Sequence, residues 1–113
     1  GPDEVEKSQN LERLWQTIAP LIKAKKLKAI MIEVSFPDEQ PDKLLFGHLT
    51  PHWLMAEMKK LQVMAGSLKG LNLVITHVKP QQSRIEKIKK QLAAENNLGL
   101  HLIYPQQGKA ITL

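Results

Sequence analysis

The chain has 113 residues, 42% of them hydrophobic and 24% charged, which is enough for one domain with a modest core. It carries no cysteine and a formal charge of +5, so disulfide frameworks, thiolate metal sites and thiol nucleophiles are excluded. No apolar run approaches the ~20 residues that cross a bilayer.

The opening stretch GPDEVEKSQ is polar enough to be loose. From Asn10 to Lys25, the positions Leu11, Leu14, Trp15, Ile18, Leu21 and Ile22 form one apolar stripe at helical spacing. Ser8 or Asn10 can cap that helix, and Pro20 predicts a kink or an early end. Leu27 to Val34, LKAIMIEV, is a nearly continuous apolar run and predicts a strand buried on both faces.

Residues 35–49, SFPDEQPDKLLFGHL, read as a long loop rich in proline, aspartate and glycine, a kind of loop that is often functional. Thr50-Pro51 then reads as an N-cap followed by proline at the first helical position. This second helix runs to about Ala65, with Trp53, Leu54, Met58, Leu61 and Met64 inward and Gly66 ending it. Leu71 to His77, LNLVITH, predicts a second buried strand. Ser83-x-x-Glu86 fits a capping box that opens a third helix, which presents Ile85, Ile88, Leu92 and Ala93 and reaches Asn96 or Asn97. Leu100 to Tyr104 and Lys109 to Leu113 read as short strands around a turn. Helices alternating with apolar strands predict an α/β layer structure, in which ligands gather beyond the carboxyl ends of the strands.

Lysines cluster at 23, 25, 26 and 28, at 59 and 60, and at 87, 89 and 90. A phosphate-binding face is one reading. Solvated helix ends are the favoured one, because cations suit the last turn of a helix. With 2 Trp, 1 Tyr and 2 Phe the chain is poor in base-stacking platforms, and no nucleic-acid partner is expected.

Three polar positions stand at places where chemistry is expected. Glu33 lies in an apolar strand end, where a carboxylate needs a partner or an outlet to water. His48, after Gly47 and just before a helix, can donate a proton, ligate a metal, or simply hydrogen-bond the helix start. His77 ends the second strand, a rigid position for a metal ligand and equally for a structural histidine. His52 reads as exposed and His101 as structural. By spacing alone these dispersed residues do not define a metal site, since a hydrolytic zinc needs about three protein ligands.

Taken together, Ile32-Glu33-Val34-Ser35-Phe36, Phe46-Gly47-His48-Leu49-Thr50-Pro51 and Leu71-Asn72-Leu73-Val74-Ile75-Thr76-His77-Val78-Lys79-Pro80 add a further signal. In this order and at these separations they resemble the later motifs of class II 3′,5′-cyclic-nucleotide phosphodiesterases, of the metallo-β-lactamase-like superfamily. The resemblance is specific over about residues 10–80 and weak beyond Pro80. It implies part of an αββα sandwich, a zinc centre of two ions, and hydrolysis of cyclic nucleotides to 5′-nucleotides. By position, His77 matches the last metal-ligand histidine and His48 the histidine that assists the leaving oxygen. Glu33 matches the carboxylate that orients or charges His48, and Thr50 would support the His48 loop. The family's His-x-His-x-Asp-His motif, a further histidine and a bridging aspartate lie earlier in its chains and do not occur in this sequence.

Residues 1–113 are therefore expected to form a single unit, the C-terminal portion of a larger metallo-hydrolase domain, inactive alone and short of a complete zinc site. The partners implied are a cyclic nucleotide, the N-terminal part of the same domain and a second copy of the chain, with no membrane. Two other readings stay open: a non-catalytic phosphate- or protein-binding α/β module, and another metallo-β-lactamase-like hydrolase such as an RNA-processing nuclease.

Overall fold

In the computed structural model of the chain, residues 2–34, 50–76 and 82–105 are described, with the backbone alone for 2–8 and 82–84. The elements are α1 (Pro2–Lys23), β1 (Ala29–Glu33), α2 (Pro51–Ala65), β2 (Asn72–Thr76), α3 (Gln82–Glu95) and β3 (His101–Ile103). The expected strand over Lys109 to Leu113 lies outside the described residues.

The strands form one parallel sheet in the order β1-β2-β3, with Ile30 opposite Leu73, Met31 opposite Val74, Glu33 opposite Thr76, and Leu73 opposite Leu102. Each crossover between neighbouring parallel strands contains a helix, and right-handed crossovers place such helices on the same face. Packing agrees, because α2 lies against both α1 and α3. Alternation along the strands sends Ile30, Ile32, Leu73, Ile75 and Leu102 into the helix-covered core. Trp15, Leu54, Met58, Leu61, Ile88 and Leu92 meet them there.

The opposite face carries Met31, Val74 and Ile103 in one cross-strand row. Val74, on the central strand, is 2% exposed, whereas Met31 on the edge strand is 67% exposed. The expectation that β1 is buried on both faces is thus corrected. An apolar run cannot tell a strand covered by helices on both sides from one covered on a single side.

α1 starts at Pro2, so Ser8 and Asn10 lie inside it rather than capping it. Proline at the first helical position, followed by Asp3, Glu4 and Glu6, favours that earlier start. Pro20 does not end the helix, which continues to Lys23. Of the expected stripe, Trp15 is fully buried and Leu11, Ile18 and Ile22 are half-buried, whereas Leu14 and Leu21 are exposed. α1 closes in a Schellman turn, with the Lys26 N–H donating to Leu21 O at 2.8 Å and the Lys25 N–H to Ile22 O at 3.0 Å.

α2 matches the expectation closely. Thr50 is its N-cap, Pro51 its first residue, and Gly66, at φ 89°, its C-cap. Met55 and Glu57 join its buried face, and Trp53 and Met64 are half-buried. α3 buries Ile88 and Leu92, but Ala93 is exposed rather than inward.

Candidate active site

The carboxyl edge of the sheet is where β1 and β2 end side by side. Glu33 and Thr76 are register partners there, so two polar residues far apart in sequence become neighbours. Backbone and side-chain bonds hold the edge together. The Val34 N–H donates to Thr76 O at 2.8 Å, and the Thr76 hydroxyl donates to Ile32 O at 3.3 Å. Val34 itself is fully buried, which anchors the chain just after β1. Glu33 is half-buried on the face of the sheet opposite the helices.

Thr50 is 2% exposed. Its hydroxyl accepts from the Trp53 N–H at 3.2 Å and its carbonyl from the Leu54 N–H at 2.9 Å. The side chain therefore satisfies one of the orphan donors of α2. The far end of α2 meets the start of β2 at the amino edge of the sheet, which directs Thr50 away from that edge.

His48 and His77 lie outside the described residues. His77 is the next residue after Thr76, and His48 stands two before Thr50. Among the described residues no three His, Cys, Asp or Glu come together to hold a metal ion, so these residues do not by themselves fit the zinc centre that the resemblance implies.

The other histidines stand where the sequence put them. His52 is 77% exposed, with Nδ1 2.8 Å from Glu95 Oε1, and so ties the start of α2 to the end of α3. His101, exposed on β3, has Nδ1 2.8 Å from Asn72 Oδ1. Sequence reasoning placed Thr76 at a polar strand end but gave it no role; its hydroxyl bonds the carbonyl of Ile32, the residue before Glu33. The available signal was a β-branched hydroxyl at a strand end, beside a histidine.

A parallel sheet with helices on one face and polar side chains at its carboxyl edge defines an α/β protein, a class in which ligands gather at that edge. Comparison with known proteins places it further. The family profile described as cAMP phosphodiesterases class-II matches residues 1–108, and the chain belongs to that family. It is 50% identical over 117 aligned positions to a 3′,5′-cyclic-nucleotide phosphodiesterase of Aliivibrio fischeri, covering 98% of this chain and 36% of the relative. A probable 3′,5′-cyclic-nucleotide phosphodiesterase of Yersinia pestis is 42% identical, over 96% of this chain and 34% of the relative. The chain thus spans about a third of the length of these curated relatives. The crystal structure of unliganded yeast PDE1 superposes with a TM-score of 0.70 at 30% identity, covering 87% of this chain and 30% of that one.

Proposed function

We propose that the protein to which these residues belong hydrolyses 3′,5′-cyclic nucleotides to 5′-nucleotides. The observation that supports this best is the pairing of Glu33 with Thr76 at the carboxyl edge of the sheet, immediately before His77, in a member of this family. Water adds to phosphorus, the bond from phosphorus to the sugar 3′-oxygen breaks, and the departing oxygen takes a proton. In this proposal His48 delivers that proton, Glu33 orients His48 and favours its charged form, and Thr50 holds the end of the His48 segment by capping α2. His77 serves as a metal ligand. The metal-dependence and the zinc are part of the proposal, and ligands beyond the described residues would have to complete such a site.

The sheet face that carries the exposed Met31 fits one half of an αββα sandwich, covered by the remaining part of the same domain or, in its absence, by a second copy of this chain.

The test is cyclic AMP and cyclic GMP hydrolysis by the full-length protein with and without added zinc, in wild type and Glu33→Gln. Loss of one acid–base partner lowers kcat by about 10²-fold or more with KM little changed. A Glu33→Gln enzyme with wild-type kcat refutes the assigned role. Zinc-dependent turnover by these 113 residues alone refutes the expectation that the site needs further ligands.

A further inference from the structure

At the amino edge of the sheet, opposite Glu33 and Thr76, a cavity of about 540 Å³ opens between the end of α1 and the turn from α2 to β2. Its floor is apolar: Ala65, Leu68 and Leu71 are buried, and Ile22 and Leu27 half-buried. Lys23, Lys25 and Lys69 are among the residues that line it, and among the described residues no acidic one does. None of these three lysines has an ion-pair partner among the described residues.

Lysines near helix ends are usually explained by the helix dipole, and the magnitudes decide how far that goes here. The two helix C-termini that converge on the cavity bring roughly half a negative charge each, so three ammonium groups leave an excess of about two positive charges. Lys25 adds a second, independent observation. It occupies the left-handed position of the Schellman turn at φ 57°, where glycine is the unstrained choice. The backbone is therefore under strain at a residue whose side chain lines the cavity, which is where strain is informative about function.

We propose that this cavity binds a phosphate monoester with an apolar body. The dianionic phosphate sits among Lys23, Lys25 and Lys69, and the ring or hydrocarbon part lies against Ile22, Leu27 and Leu71. The site is separate from the carboxyl edge and does not depend on the hydrolytic reading. It accounts for a lysine cluster that the proposed activity leaves unused.

The test is a titration of the ¹⁵N-labelled chain with 1-naphthyl phosphate at low salt, followed by amide shifts and compared with inorganic phosphate. The expected result is saturable shifts at Leu27 and Ser67 to Leu71. Affinity should fall about five- to tenfold in Lys25→Gly and in Lys69→Gln, as loss of one charge-assisted contact requires. Lys90→Gln, on the exposed side of α3, should bind as the wild type does. Lys25→Gly should melt no lower than wild type, because glycine relieves the left-handed residue; loss of binding without loss of stability separates a ligand role from a structural one. Wild-type affinity in Lys25→Gly overturns the proposal, as does an equal loss in Lys90→Gln. Inorganic phosphate binding as tightly as the naphthyl ester overturns the organic ligand.

Discussion

Glu57 needs partners for both carboxylate oxygens, since only 2% of the residue is exposed. Trp15 Nε1 donates to Oε1 at 3.0 Å and Lys60 Nζ to Oε2 at 2.8 Å. The first of these bonds spans α1 and α2 and fixes how the two helices meet. Replacing Glu57 with alanine leaves the buried indole N–H unpaired, and the chain should lose about 1–3 kcal/mol of unfolding free energy. A double-mutant cycle of Trp15→Phe and Glu57→Ala, read by urea unfolding, should give a coupling of about 1 kcal/mol; a coupling near zero refutes the lock. Burial pushes the Tyr104 hydroxyl above its ordinary value of 10.0, and the Lys89 ammonium lies 5.1 Å from the centre of its ring. In the unfolded chain Tyr104 ionises near pH 10, before it does so in the folded chain. Its contribution is therefore intact below pH 10 and declines as pH rises through the raised folded value. Urea midpoints of wild type and Tyr104→Phe should run parallel up to pH 10 and converge or cross above it.

At the scale of elements, α2 is the part that local chemistry specifies most completely. Its start is set by the Thr50 hydroxyl and by Pro51, its end by Gly66, whose N–H donates to Gln62 O at 2.8 Å. Thr50→Ala should cost about 1 kcal/mol in thermal unfolding, with Thr50→Ser recovering most of it. Gly66→Ala meets no heavy atom within 4 Å, so its penalty comes from the positive-φ backbone, about 1–3 kcal/mol. A variant Gly66→Ala as stable as wild type would show that the turn relaxes to another geometry. α1 gives the opposite lesson. Its apolar spacing was plain, yet Leu14 is 46% and Leu21 40% exposed, because only one side of α1 faces α2.

At the scale of the whole molecule, the sheet is covered by helices on one face and presents Met31 on the other, with Leu14 and Leu21 adding apolar surface on α1. Exposed apolar area of this kind drives association. In sedimentation velocity the chain should self-associate as concentration rises. Met31→Lys should weaken that association and leave the urea midpoint within about 0.5 kcal/mol of wild type, since the side chain is 67% exposed. A strictly monomeric wild type at high concentration would count against a face that needs covering.

The alternation of helix and strand, the cap and terminus of α2, and the polar residues at the strand ends were all legible in the sequence. Each is a short-range matter: periodicity, a hydroxyl before a proline, a glycine where φ is positive. Three further features were decided only by the tertiary structure: the register that sets Glu33 beside Thr76, the exposure of Met31 on the edge strand, and the hydrogen bond from Trp15 to Glu57. The reason is that pairing and burial depend on which surfaces meet across dozens of residues. A hydrophobic pattern records that a side chain avoids water without recording what covers it.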